Sequence, residues 1–214
     1  MSASVLSLLE RALPTLALSG LIHRLARSRR AFIRGPLVKG FLRRFPDALN
    51  EAAQSDPANY ATFNALFTRA LAPGARPIDE NARLVAPVDG VVSQIGRVED
   101  GRVIQAKGHD FTVAELLGEP SGRAGAFANG SFATIYLAPV DYHRIHMPAA
   151  ATLREVVHLP GRLLSVREAS TRTVPRLYAR NERVACLFGD AAQDLAVVMV
   201  GAFGVGSISV GLAP

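Results

Sequence analysis

The chain reads as an α+β protein, with amphipathic helices at the front and a mainly antiparallel, β-rich core, a sheet or partly open barrel, behind them. Three observations predict this. Arginine and aliphatic residues interleave through residues 1–45, and short apolar runs broken by glycine and proline begin after Leu84. No helical pattern long enough for repeated βαβ crossovers separates those runs. The expected division is a basic helical segment at 1–45 and a core at 46–214.

The front segment has the clearest composition. Nine basic residues (Arg11, Arg24, Arg27, Arg29, Arg30, Arg34, Lys39, Arg43 and Arg44) face one acid, Glu10, a local charge of +8 in a chain whose total is +6, which leaves −2 for the rest. Leu6, Leu9, Leu13, Leu16, Leu21, Ile22, Leu25, Phe32, Ile33, Leu37, Phe41 and Leu42 lie among these cations. Aliphatic bulk mixed with arginine suits helices lying in a bilayer interface, where apolar faces enter the acyl boundary and cations meet lipid phosphates. Nucleic-acid arms carry less apolar surface, so an anionic membrane is the expected partner and nucleic acid is not. The longest uncharged stretch, Ala12 to Ile22, contains Pro14 and Gly20 and is far shorter than the roughly 20 apolar residues that span a bilayer. Glu10 and Arg11 inside the apolar run also argue against a secretory signal. A second reading, in which these helices cover the core of their own domain, stays open.

Further along, Asp47 is placed to cap a short helix running to Gln54, and Asp56-Pro57 to open another. In that second helix Phe63, Leu66, Phe67 and Ala70 recur at i, i+3, i+4 and i+7, one apolar helix face, expected to pack on the sheet. The strand-like runs are Val91–Ile95, Val103–Ala106, Phe132–Leu137, Leu153–Val157, Val184–Phe188, Leu195–Val200 and Val205–Val210. The single cysteine, Cys186, lies within one of them and reads as a small buried hydrophobe in a reducing compartment.

Three polar breaks are candidates for chemistry. Asp141-Tyr142-His143-Arg144-Ile145-His146-Met147-Pro148 sets two imidazoles three residues apart just after an apolar run. Pro139 and Pro148 bracket it, which disfavours helix and predicts a loop at a strand end. Pro87-Val88-Asp89-Gly90 is a tight turn presenting one carboxylate that would orient an imidazole if the two meet. Gln105-Ala106-Lys107-Gly108-His109 reads as a solvated loop. With one cysteine, no Cys-x-x-Cys and no His-Glu-x-x-His, no metal site is expected.

In order along the chain, Thr62–Arg69, Arg76–Asp79, Pro87–Val91, Gln105–His109, Asp141–Pro148 and Ala179–Arg183 closely resemble the bacterial phosphatidylserine decarboxylases in their longer form. The resemblance implies an enzyme of phospholipid biosynthesis that converts phosphatidylserine to phosphatidylethanolamine, peripheral on the cytoplasmic side of the cell membrane. It implies a proenzyme that cuts itself at a Leu-Gly-Ser-Thr motif, whose serine becomes a covalent pyruvoyl group on a small α chain. By motif match it assigns Asp89 and His146 to self-cleavage with that serine, and His143 to the decarboxylation step. It leaves a homo-oligomer open.

No Leu-Gly-Ser-Thr occurs in these 214 residues, and Gly206-Ser207 lies in a strand-like segment that the family carries upstream of its cleavage point. The expectation is therefore a β-chain region ending before that point, without the pyruvoyl-forming serine and inactive alone. The alternative from another class is a non-catalytic peripheral lipid-binding module.

Overall fold

The computed structural model describes residues 14–118, 122–189 and 194–211. Residues 1–13, the start of the expected membrane segment, lie outside them. The chain forms two compact units. One takes in the described residues up to Gly20, Ser93–Thr134 and those from Ala151 on; the other consists of Leu21–Val92 and Ile135–Ala150.

The elements in order are α1 (Thr15–Ala26), α2 (Ala31–Arg44), α3 (Phe63–Phe67), β1 (Val91–Arg97), β2 (Arg102–Ala106), β3 (His109–Thr112), α4 (Val113–Leu117), β4 (Ser131–Tyr136), β5 (Thr152–Leu159), α5 (Glu168–Thr171), α6 (Leu177–Arg180), β6 (Arg183–Gly189) and β7 (Asp194–Val200). Short 3-10 turns stand at Pro46–Leu49, Pro57–Asn59 and Arg123–Phe127. Helix and antiparallel sheet are thus mixed as expected. Among the described residues the strands make three small sheets, β1-β4, β2-β3 and β5-β6-β7, in place of one sheet or a partly open barrel. No helix is long and apolar enough to cross a membrane among the described residues.

In the unit containing β5-β6-β7, β6 is the middle strand, with Cys186 opposite Val156 on one side and Val197 on the other. Val184, Ala185, Cys186 and Leu187 are all buried, and burial raises the Cys186 thiol pKa, as suits an inert core thiol. Ala185 and Leu187 join Val103, Phe111, Leu117, Leu164 and Leu177 in the core. Three buried polar side chains staple this core. Gln105 donates to the Thr171 and Val174 carbonyls, both at 2.8 Å, and accepts from Leu177 N–H at 2.6 Å. Asn181, fully buried, donates to the Leu164 and Gly201 carbonyls. Arg183, 5% exposed, spends its guanidinium on four carbonyls, those of Leu116, Ala179, Asn181 and Glu115. Two of the stretches that carry the family resemblance, Gln105–His109 and Ala179–Arg183, are therefore anchored here by hydrogen bonding.

In the other unit Leu49, Ala52, Tyr60 and Leu66 form a core against which Val38, Phe41 and Leu42 of α2 pack. The Phe41 ring meets those of Phe45, Phe63 and Phe67 at 5.1, 5.6 and 6.4 Å between centroids. The helix expected from Asp47 is a 3-10 turn begun by Pro46, and the Phe63–Ala70 face packs on α2 and the Leu49 turn, not on a sheet. That helix closes after five residues because Ala70 and Ala72 pair with the backbone at 51–53: Ala53 N–H donates to Ala70 O, and Ala72 N–H to Glu51 O.

Two strand assignments also change. His109–Thr112 is a strand, because Lys107-Gly108 makes a two-residue hairpin turn with Gly108 at φ +82°. Val205–Val210 is not a strand; among the described residues it holds only the Ala202–Val205 bridge, since Gly204 and Ser207 take φ of +73° and +59° and break extension.

Candidate active site

All three candidate residues lie in the unit formed by Leu21–Val92 and Ile135–Ala150. Beyond Tyr136 the backbone has no regular structure through Pro148, as the two prolines dictate. Asp141 opens the turn by accepting Ala138 N–H on Oδ2 at 2.6 Å. Four ties then hold the loop. Arg69 donates from Nη2 to Val140 O at 2.8 Å, and Arg144 from Nε to Thr68 O at 2.9 Å. His146 N–H donates to Pro87 O at 2.7 Å, and Val85 N–H to Pro148 O at 2.8 Å. The histidine loop and the Pro87–Gly90 turn are thereby joined through backbone. Gly90 makes the turn possible: at φ +147° a Cβ there would stand 2.5 Å from Tyr136 O.

Asp89 is gripped by Arg76, Nε to Oδ1 at 2.9 Å and Nη2 to Oδ2 at 2.6 Å. Arg76 holds Glu51 bidentately as well, both bonds 2.9 Å. The Arg76 bonds keep the Asp89 carboxyl below the ordinary carboxylate range, with smaller help from the charges of Arg69 and His146. Asp89 is thus a fixed anion facing the loop.

The two histidines differ. His146 is exposed, and its Nε2 meets the hydroxyl of buried Tyr142 at 2.9 Å, the rings stacked at 15°. Both Asp89 oxygens are engaged by Arg76 while His146 Nε2 engages Tyr142, so backbone contact, not a carboxylate–imidazole bond, links this pair. His143 is half-buried against Phe67, ring centroids 4.1 Å apart, with Nδ1 2.9 Å from Asp141 O. A carbonyl only accepts, so Nδ1 carries the proton and the neutral ring presents its lone pair on Nε2. Burial lowers the His143 pKa from its ordinary value, which keeps the ring neutral near pH 7. One site therefore holds a neutral, desolvated imidazole and a solvated one.

Four neighbours are not named as site residues by the sequence: Arg69, Arg76, Tyr142 and Phe67. Arg69, two residues past α3 and 5% exposed, is the least expected, an arginine at the edge of an apolar helix face. Among the described residues its only acceptor is Val140 O, and Nε and Nη1 are buried without a partner. Lys107 and His109 belong to the other unit, Lys107 exposed on its hairpin and His109 Nε2 3.0 Å from Arg172 O. No three His, Cys, Asp or Glu residues gather as a metal site among the described residues.

Comparison with known proteins places these residues in a family. The model of phosphatidylserine decarboxylase matches residues 63–213, and a second model, described as PSD, matches residues 6–46. A phosphatidylserine decarboxylase proenzyme of Alkalilimnicola ehrlichii is 51% identical over 197 residues, covering 92% of this chain and 68% of that protein. That of Bordetella pertussis is 52% identical over 191 residues (89% and 64%), and that of Chromobacterium violaceum 50% over 210 residues (98% and 75%). The chain spans about two thirds of the length of these curated relatives. With one family model covering most of its length and half its residues shared with these proenzymes, the chain belongs to the phosphatidylserine decarboxylase family.

Proposed function

We propose that this chain carries the substrate-handling and self-processing residues of an enzyme that decarboxylates phosphatidylserine to phosphatidylethanolamine. The observation that carries the reading is the juxtaposition of Asp89, His143 and His146 in one unit, with His146 N–H on Pro87 O, in a chain of this family. Asp89, held ionised by Arg76, supplies a fixed negative charge beside His146. His146, exposed, is the imidazole open to a serine hydroxyl, and its ring is held by Tyr142. His143, neutral with an available Nε2, is suited to managing the proton that replaces the departing carboxylate.

A pyruvoyl group fits this donor set. Decarboxylation leaves an electron pair on carbon, and neither an imidazole nor a guanidinium can delocalise it, so the site needs a separate electron sink. When present, a pyruvoyl group supplies that sink, and His143 and Arg69 are the side chains that would face its substrate. The serine that would form it is not among these 214 residues.

The test uses the protein carrying the Leu-Gly-Ser-Thr segment. Asp89→Ala and His146→Ala should leave it uncut on a denaturing gel, whereas His143→Ala should cut normally and lose phosphatidylethanolamine formation by about 100-fold or more. Normal processing of the first two variants would reverse the assigned roles.

The same proposal places the protein on an anionic membrane surface. Phe32 is 72% exposed and Leu16 and Leu21 are each 54% exposed, among the arginines of α1 and α2. This supports a peripheral interface and equally suits a purely lipid-binding module; turnover by the processed protein separates the two.

A further inference from the structure

Arg69 and Arg183 are equally buried, each 5% exposed, yet are treated differently. Among the described residues Arg183 meets four carbonyls, whereas Arg69 meets one and keeps Nε and Nη1 without an acceptor. A buried cation with unmet donors is strongly disfavoured unless an anion compensates it. Neither of the two carboxylates whose charge reaches Arg69 bonds it: Asp141 accepts Ala138 N–H on Oδ2 and Asp89 is taken by Arg76. The residues on either side of Arg69 in structure point to the same place, with Phe67 against the His143 ring and Nη2 on Val140 of the histidine loop.

We infer that Arg69 is a substrate-binding residue, whose open Nε and Nη1 receive an anionic oxygen of the lipid headgroup beside His143. This rests on the function proposed above and names a contact within it. Phosphatidylserine offers two anions, a carboxylate and a phosphodiester. A cation gripping the carboxylate would stabilise a charge that disappears as carbon dioxide leaves, favouring the ground state over the transition state. The phosphodiester keeps its charge throughout and is the better occupant; the arginine then anchors the headgroup while His143 works on its amino-acid end. Neither nitrogen is open to solvent, so the headgroup enters by displacing protein atoms that now cover them.

The experiment uses the full-length, self-processed protein and its Arg69→Gln and Arg69→Lys variants, with melting curves to confirm folding. Two readouts are taken: KM for short-chain phosphatidylserine, and calorimetric binding of short-chain phosphatidylethanolamine, which has the phosphodiester but no carboxylate. Loss of a charge-assisted contact should weaken both by about tenfold or more in Arg69→Gln, with partial recovery in Arg69→Lys. A raised KM with unchanged phosphatidylethanolamine binding would overturn the phosphodiester assignment in favour of the carboxylate. Unchanged values for both would mean that the nitrogens are served by an internal water and would overturn the inference. A lowered kcat at constant KM would make Arg69 a positioning residue acting through Val140, which also overturns it. If Arg69→Gln unfolds, Arg69→Lys carries the same readouts. Failure of the wild-type protein to make phosphatidylethanolamine would instead sink the proposed function, while the binding arm still reads Arg69.

Discussion

Asp89 and His143 each owe their protonation state to a neighbour outside the trio. Arg76 keeps Asp89 ionised, the Asp141 carbonyl fixes the proton of His143 on Nδ1, and Tyr142 engages His146. The His143 pKa lies below its ordinary value of 6.5 because burial penalises the charged ring. The unfolded chain therefore binds more protons below that value than the folded one does. His143 should leave stability intact above about pH 6.5 and reduce it progressively as pH falls toward the lowered folded value. Urea midpoints of wild type and His143→Gln, compared at about pH 7.5 and about pH 5, should show the smaller acid loss in the variant. Parallel losses would mean that the ring is not desolvated. The two histidines and Asp89 were legible in the sequence because an imidazole pair between prolines and a carboxylate in a Pro/Gly turn are local patterns. Arg69 and Arg76 stand in the text that carries the family resemblance, but their significance depends on acceptors met or unmet far along the chain, at Val140, Glu51 and Asp89. Charge spacing alone does not show that.

At the scale of elements, α3 is short but well anchored. Thr62 caps it by accepting Ala65 N–H at 3.0 Å, Leu66 is fully buried, and Phe67, Thr68 and Arg69 then touch the histidine loop in succession. Leu66→Ala should cost about 3 kcal/mol in urea unfolding. A loss below about 1 kcal/mol would show that the Leu49–Tyr60 cluster refills the space. The helical spacing from Phe63 to Ala70 was readable, but the length was not, since Ala70 and Ala72 are drawn into pairing with residues 51–53. Six of the seven apolar runs became strands, because alternation and β-branched content report half-buried extension directly. Val205–Val210 has the same composition and fails on the positive φ at Ser207, which residue type does not announce.

For the whole molecule, the charge division of +8 against −2 and the apolar side chains exposed on α1 and α2 belong together. Val38, Phe41 and Leu42 of α2 pack on the core, so deleting residues 1–45 would damage the fold as well as any membrane contact. Phe32→Asp with Leu21→Asp is the cleaner test. It should abolish flotation with anionic vesicles at an unchanged melting temperature, and wild-type binding should weaken as salt is raised. Flotation of the double variant equal to wild type would remove the membrane assignment. The contact between His146 N–H and Pro87 O carries a further consequence, one of timing. It closes a loop of roughly sixty residues, and most of that loop, Ser93–Thr134, folds into the other unit. On a ribosome adding roughly 5–20 residues per second, Asp89 waits several seconds before His146 exists to meet it. Whatever chemistry the two share cannot begin on the nascent chain until that intervening segment has been made, so chain order itself delays the reaction.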